Sequence, residues 1–162
     1  MQQELPPGCS IRPAARNDLW TIRKLVLSAK LDPTQLNWSQ FWVIECHQKI
    51  VACGQLRNFN TVQELGSLVV SPAWRDRGLG SYLVKHLIAQ ATQPLYLECV
   101  GNRLALYYTR FGFVPISWQA LPQSLKLKFG ISQLAAVLIP FLTVTIMQYQ
   151  GNTREQAAIA TQ

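Results

Sequence analysis

Apolar positions along the chain change period several times, and each change marks an element. Ser10 to Pro13 reads as a short first strand. Leu19, Ile22, Val26 and Leu27 then share one face at helical spacing, with Asn17 or Asp18 placed to cap their helix. Asp32-Pro33 ends that pattern, and a second short helix or loop carries Leu36 and Trp38. Phe41 to Cys46 and Ile50 to Leu56 are apolar runs around a polar turn at His47 to Lys49, which predicts an antiparallel hairpin. Arg57 to Thr61 reads as the loop into a further strand, Val62 to Val70, which Ser71-Pro72 closes.

Leu79, Leu83, Leu87 and Ala91 repeat every four residues, and Val84 and Ile88 widen the same face, so a helix is expected from about Gly78 to Ala91. Next come a strand over Leu95 to Val100, a helix over Leu104 to Arg110 and a strand from Phe113 to Ile116. Residues 121 to 139 add a helix that Pro140 ends, and Thr, Val and Ile between Leu142 and Tyr149 predict a last strand. These elements give an α/β (α+β) domain with a mixed, mostly antiparallel sheet of six to seven strands flanked by helices. One domain is expected over residues 1–150, with a polar tail over 151–162.

Charge narrows the partners. Fifteen Lys and Arg against eight Asp and Glu give a formal charge of +7, which favours an anionic partner. The basic residues are scattered apart from Arg75 and Arg77 around Asp76, and no nucleic-acid motif is present, so no nucleic acid is expected. The stretch from Ile131 to Met147 is mostly apolar but falls short of the ~20 residues a spanning helix needs, so no membrane span is expected. The cysteines, Cys9, Cys46, Cys53 and Cys99, lack metal-ligand spacing. Symmetric hairpin pairing sets Cys46 opposite Ile50, which argues against a Cys46–Cys53 bridge. Reduced, buried cysteines, no signal peptide and a cytoplasmic location are the expectation.

The most informative stretch is Leu68-Val69-Val70-Ser71-Pro72-Ala73-Trp74-Arg75-Asp76-Arg77-Gly78-Leu79-Gly80. A strand, a basic turn with two glycines and then a helix make an anion site, because the first helical N–H groups lack intrahelical acceptors. Glycine at 78 and 80 lets phosphate oxygens approach the backbone. Taken alone, the same residues read equally well as a plain strand-to-helix turn. Neither the P-loop nor the dinucleotide glycine pattern is matched.

Glu64-Leu65-Gly66-Ser67-Leu68-Val69-Val70-Ser71-Pro72, followed by Arg75-x-x-Gly78-x-Gly80, resembles the central motif of the GNAT acetyltransferases. About thirty residues later, Asn102 to Phe113 resembles that family's second hallmark. The resemblance covers roughly residues 9–149 and implies acetyl-CoA held between two splayed parallel strands, here Val62–Val70 and Leu95–Val100. It implies that a bulge turns the backbone of Leu68, Val69 and Val70 toward the cofactor, with the Val70 N–H on the thioester oxygen. Arg75, Asp76, Arg77, Gly78, Leu79, Gly80 and Ser81 would wrap the pyrophosphate, and Asn102 would anchor the pantetheine arm or its helix. The Asn102 to Tyr108 interval is a residue shorter than in many relatives, which leaves that role of Asn102 open.

Tyr108 lies four residues before Gly112, where the family places the acid that protonates the leaving thiolate; its other reading is a packed helix aromatic. Glu64 matches a position where some members place a base, direct or through water; equally it reads as a strand-edge carboxylate. His47 and His86 read as solvated, and Trp74 as packing beside the loop. The implied activity is acetyl transfer from acetyl-CoA to a primary amine of a small molecule or peptide, without a metal. An acyl-CoA sensor lacking turnover and a membrane-peripheral protein are the alternatives. The insert over 121–139, with Lys126 and Lys128, covers the acceptor side or makes an oligomer contact, a homodimer being one reading.

Overall fold

Seven strands are ordered β1-β2-β3-β4-β5-β7-β6 in the sheet. They are β1 (Cys9–Pro13), β2 (Phe41–Cys46), β3 (Lys49–Phe59), β4 (Val62–Val70), β5 (Leu95–Val100), β6 (Phe113–Pro115) and β7 (Val144–Tyr149). Helices α1 (Leu19–Ser28), α2 (Leu79–Gln90), α3 (Asn102–Thr109) and α4 (Gln123–Leu138) complete the fold. The β4–β5 pairing is parallel, whereas β1–β2, β2–β3, β5–β7 and β6–β7 are antiparallel. The computed structural model describes residues 4–139 and 142–151. Pro140 and most of the expected tail lie outside the described residues. Among the described residues no helix is long and apolar enough to cross a membrane.

The chain divides into two compact units, residues 1–57 with 65–91, and residues 58–64 with 92–162. β4 is shared: Gln63 and Glu64 pair with Leu95 and Tyr96 in the second unit, and Leu65 onward belongs to the first.

In the first unit, Ile22, Val26, Phe41, Val43, Cys53 and Val69 form a buried cluster. Leu27 is not part of that face and is 52% exposed. At 100° per residue it sits well round the helix from Ile22 and Val26, and Leu25 packs in its place. The opposite face of β3 receives α2. A Cβ on Gly54 would lie 2.7 Å from Leu87 Cδ1 and 3.1 Å from Leu68 Cδ1, so glycine is what permits this close approach.

Two connections differ from expectation. The hairpin turn is the pair His47-Gln48, both at positive φ (48° and 63°), which suits the twist of the flanking strands. Cys46 therefore stands opposite Lys49, and Glu45 opposite Ile50 across an irregularity at Ile44/Glu45. The loop expected over Arg57 to Thr61 is mostly strand, because β3 runs to Phe59 and only Asn60 (φ 55°) and Thr61 turn the chain.

The cysteines also need correction. Cys9 lies directly opposite Cys46 in the β1–β2 ladder, and the two form a disulfide with a Cα–Cα distance of 4.0 Å. The first strand starts one residue earlier than its apolar pattern suggests, and that residue supplies the partner. Cys53 and Cys99 are free and buried, and burial pushes both thiols up, to about 12 and about 11.

In the second unit, Val62, Tyr96, Leu121, Leu125, Phe129 and Ile146 form the core, with Phe59 and Ile116 against it. α4 contributes Leu125 and Phe129 to this cluster, so the insert is seated on the sheet. Gln63 braces the β4–β5 connection: its Oε1 accepts from the Thr92 and Gln93 N–H groups, and its Nε2 donates to Asn58 Oδ1.

Candidate functional site

The backbone of β4 departs from a regular strand at one place. Ser67 has φ 48°, a left-handed conformation within the strand of the kind found at bulges, just before Leu68 to Val70. A buried side chain braces it: Arg57 Nη2 donates to Ser67 Oγ at 2.7 Å, with Arg57 7% exposed. The Cys53 thiol points at the Ser67 carbonyl at 3.8 Å. The sequence pattern places Arg57 in a loop and assigns it no role. Its signal is Gln55-x-Arg57, two polar residues on one face of a strand, both buried here.

After Val70 the chain makes a short 3-10 turn at Pro72–Trp74 and then the glycine loop. Asp76 (φ 60°) and Gly78 (φ 79°) both adopt left-handed conformations, which orient successive N–H groups into a concave nest suited to an anion. Gly78 caps α2, whose first intrahelical bond runs from Tyr82 N–H to the Gly78 carbonyl. The N–H groups of Leu79 and Gly80 therefore point out of the helix start, where the dipole favours negative charge. The loop is held at its base: Arg75 Nε donates to the Val70 carbonyl at 3.2 Å, and the Arg77 guanidinium lies 4.8 Å from the Trp74 ring centroid. Arg75, Asp76 and Arg77 are exposed, so their charged groups are available to solvent or ligand. Left-handed backbone, outward amides and two guanidinium groups fit a pyrophosphate.

His86 on α2 is not solvated as expected. It packs edge-on to Trp42 with ring centroids 4.3 Å apart, and its Nε2 is buried without a hydrogen-bond partner. That burial lowers its basicity below the ordinary histidine value. His47 is exposed, and its ring covers Gly8.

The second unit holds the remaining expected residues. Asn102 is exposed at the first turn of α3, after Gly101 (φ 86°), whose N–H donates to the Thr143 carbonyl at 2.8 Å. Tyr108 is the buried residue of α3, 8% exposed, with its ring edge-on to Phe113 at 5.9 Å and to Tyr107 at 5.3 Å. Burial, then the neighbouring Tyr107 and Cys99, holds its hydroxyl well above the ordinary tyrosine value, so it keeps its proton at neutral pH. This packing accords with the reading of Tyr108 as a helix aromatic.

Glu64 is no strand-edge carboxylate. It is 4% exposed, and both its oxygens accept from the Lys128 ammonium of α4. Lys128 also lies over the rings of Phe129 and Phe59, at 5.4 and 5.8 Å. The insert therefore reaches one of the candidate catalytic groups. The partners stand 64 residues apart in sequence, and no local pattern joins them. Among the described residues no cluster of metal-ligating side chains occurs.

A family model described as an acetyltransferase (GNAT) domain matches residues 37–115, a span that contains the bulge, the nest and Tyr108. Over that span the chain matches the GNAT superfamily. An amino-acid acetyltransferase of Shewanella oneidensis is 31% identical over 108 residues, 64% of this chain and 24% of that protein. The amino-acid acetyltransferase of Escherichia coli K12 is 24% identical over 142 residues, 80% of this chain and 32% of that protein. The chain thus spans about a quarter to a third of the length of these curated relatives. Among solved structures, N-acetylglutamate synthase from Neisseria gonorrhoeae, complexed with coenzyme A and N-acetyl-glutamate, aligns with a TM-score of 0.73 at 20% identity, covering 91% of this chain and 36% of that one. Rv2747 from Mycobacterium tuberculosis, in complex with CoA, aligns with a TM-score of 0.67 at 20% identity, covering 86% and 98%. These likenesses establish the GNAT fold for the seven-stranded sheet described above.

Proposed function

We propose that the protein transfers an acetyl group from acetyl-CoA to a primary amine of a small molecule, with residues 1–150 acting as one N-acetyltransferase domain and 151–162 as a tail. The observation that carries this reading is the bulge at Ser67 leading into the left-handed Asp76–Gly78 nest, an arrangement with no structural need in an ordinary strand-turn-helix. In this reading the nest residues Arg75 to Ser81 hold the pyrophosphate, the Leu68–Val70 backbone aligns the pantetheine arm, and Asn102 helps anchor that arm or its own helix. Acetyl-CoA supplies the activated acyl group. The Val70 N–H stabilises the negative charge that gathers on the carbonyl oxygen as the amine attacks.

The attack needs a neutral amine and a proton for the departing thiolate. Tyr108 supplies that proton, since its buried hydroxyl stays protonated at neutral pH. Glu64 takes the proton of the acceptor ammonium through water, with Lys128 fixing the carboxylate's orientation. Relatives named amino-acid acetyltransferases make free amino acids the first acceptors to screen. A cytoplasmic location belongs to this reading, and there a thiol pool would tend to open the Cys9–Cys46 bond.

The test is calorimetric titration with acetyl-CoA, wild type against Gly78→Glu, followed by CoA release across an amino-acid panel. Saturable binding that the variant loses, with CoA released in the presence of one amine, supports the reading. Folded wild-type protein that binds no acetyl-CoA sinks it. Binding without turnover on any amine leaves an acyl-CoA sensor.

A further inference from the structure

α4 is apolar on two opposite sides. Leu125 and Phe129 are buried in the core of the second unit. Leu127, Ile131, Leu134 and Leu138, spaced by four, three and four residues, are 86%, 75%, 62% and 71% exposed. Val137 and Ile139 extend this outer stripe at 82% and 53%. A helix apolar all round is ordinarily covered on every side. Several large aliphatic side chains in one row make a patch of the size that marks an interaction surface. The helix is too short to span a bilayer, so the stripe can only lie along its partner.

Charge chooses that partner. Between Glu98 and Glu155 the chain has no acidic residue; Lys128 is paired with Glu64, so the α4 cation beside the stripe is Lys126, with Arg103 and Arg110 in and just after α3 in the same stretch. Two copies of such a segment would bring like charges together. An anionic lipid surface meets the same segment with opposite charge. Lys126 flanks the stripe, about 100° round the helix from Leu127, where its stem can lie on apolar surface while the ammonium reaches headgroups. Trp118 lies beside α4, its ring tip 3.6 Å from where a Cβ on Gly130 would sit, and is 37% exposed. Tryptophan at the margin of an apolar face suits the headgroup level of a bilayer.

From this we infer that the outer face of α4 docks peripherally on an anionic membrane, with Leu127, Ile131, Leu134 and Leu138 entering the headgroup–acyl boundary. This surface is independent of the acetyl-transfer reading. Full-length protein is sedimented with vesicles of phosphatidylcholine alone and of phosphatidylcholine with phosphatidylglycerol, at low and high salt. The expected result is at least about tenfold tighter binding to the anionic vesicles, weakened by salt. The variant Leu127→Glu/Ile131→Glu/Leu134→Glu alters exposed positions only, so it should keep the parent melting temperature and lose binding about tenfold or more. Leu127→Gln/Ile131→Gln is the second variant, used if the first melts early, and should bind more weakly than the parent. Wild-type protein that stays in the supernatant with anionic vesicles overturns the inference. So does a wild-type dimer in analytical ultracentrifugation that the same substitutions convert to monomer, since a second copy would then cover the stripe.

Discussion

The Lys128 ammonium meets both carboxylate oxygens of Glu64, joining the helix of the insert to the start of β4. The side chains are 18% and 5% exposed, so removing one partner leaves a mostly buried charge uncompensated. Lys128→Met should therefore cost about 3–5 kcal/mol in urea unfolding. Glu64→Gln/Lys128→Met should cost less than the sum of the single variants. Strict additivity in that double-mutant cycle would mean the pair does not couple.

Arg57 and Ser67 tie the bulge to β3. Arg57→Met keeps the bulk of the stem but removes the donor, so Ser67 should lose its hold on the left-handed conformation. We expect acetyl-CoA affinity to fall by about tenfold, the loss of one charge-assisted hydrogen bond. Ser67→Gly, which favours positive φ without the hydroxyl, should retain more affinity than Ser67→Val. Equal affinities for the two Ser67 variants would remove the bulge from the binding argument.

Tyr108→Phe preserves the ring against Phe113 and Tyr107 and deletes only the hydroxyl. On the proposed mechanism kcat should drop by about 10²–10⁴ while KM for acetyl-CoA changes little. A loss confined to KM would assign the hydroxyl to binding instead.

Acid should weaken the first unit through His86. Burial places its folded value below the ordinary 6.5, so the unfolded chain takes up a proton that the folded one refuses. That contribution to stability is present above pH 6.5 and is lost as pH falls toward the folded value. A melting temperature that declines below this pH in wild type, and declines less in His86→Gln, is the expected outcome. NMR titration of the ring gives the direct reading, and an ordinary histidine value there would contradict the burial argument.

Reduction should lower stability as well. The Cys9–Cys46 bond closes a loop across a sequence separation of 37, which constrains the unfolded chain by up to about 4 kcal/mol. Melting with and without dithiothreitol measures it, and Cys9→Ala/Cys46→Ala should melt like the reduced protein and be insensitive to the reagent.

Much of the fold is legible in the sequence because its elements are local. Phe41–Cys46, Val62–Val70 and Leu95–Val100 are β-rich apolar runs bounded by turn residues, and the strands match those limits. The nest is legible because glycine spacing and helix periodicity adjoin at Gly78. What escapes depends on which distant residues the sheet sets side by side. Cys9 meets Cys46 only through the β1–β2 register, and Lys128 meets Glu64 only once α4 is seated on the sheet. Arg57 is hidden for a related reason: a polar residue near an expected turn looks solvated until the strand continues past it.

The disulfide has a mechanical consequence. β1 lies at the edge of the sheet, where a pull on the N-terminus would normally unzip its hydrogen bonds one at a time. With Cys9 bonded to Cys46, tension entering from the first eight residues bypasses β1 and passes directly to the end of β2, a strand flanked on both sides. In the oxidised protein this edge strand is thus shielded from a load on the N-terminus, and in the reduced protein that load falls on it first.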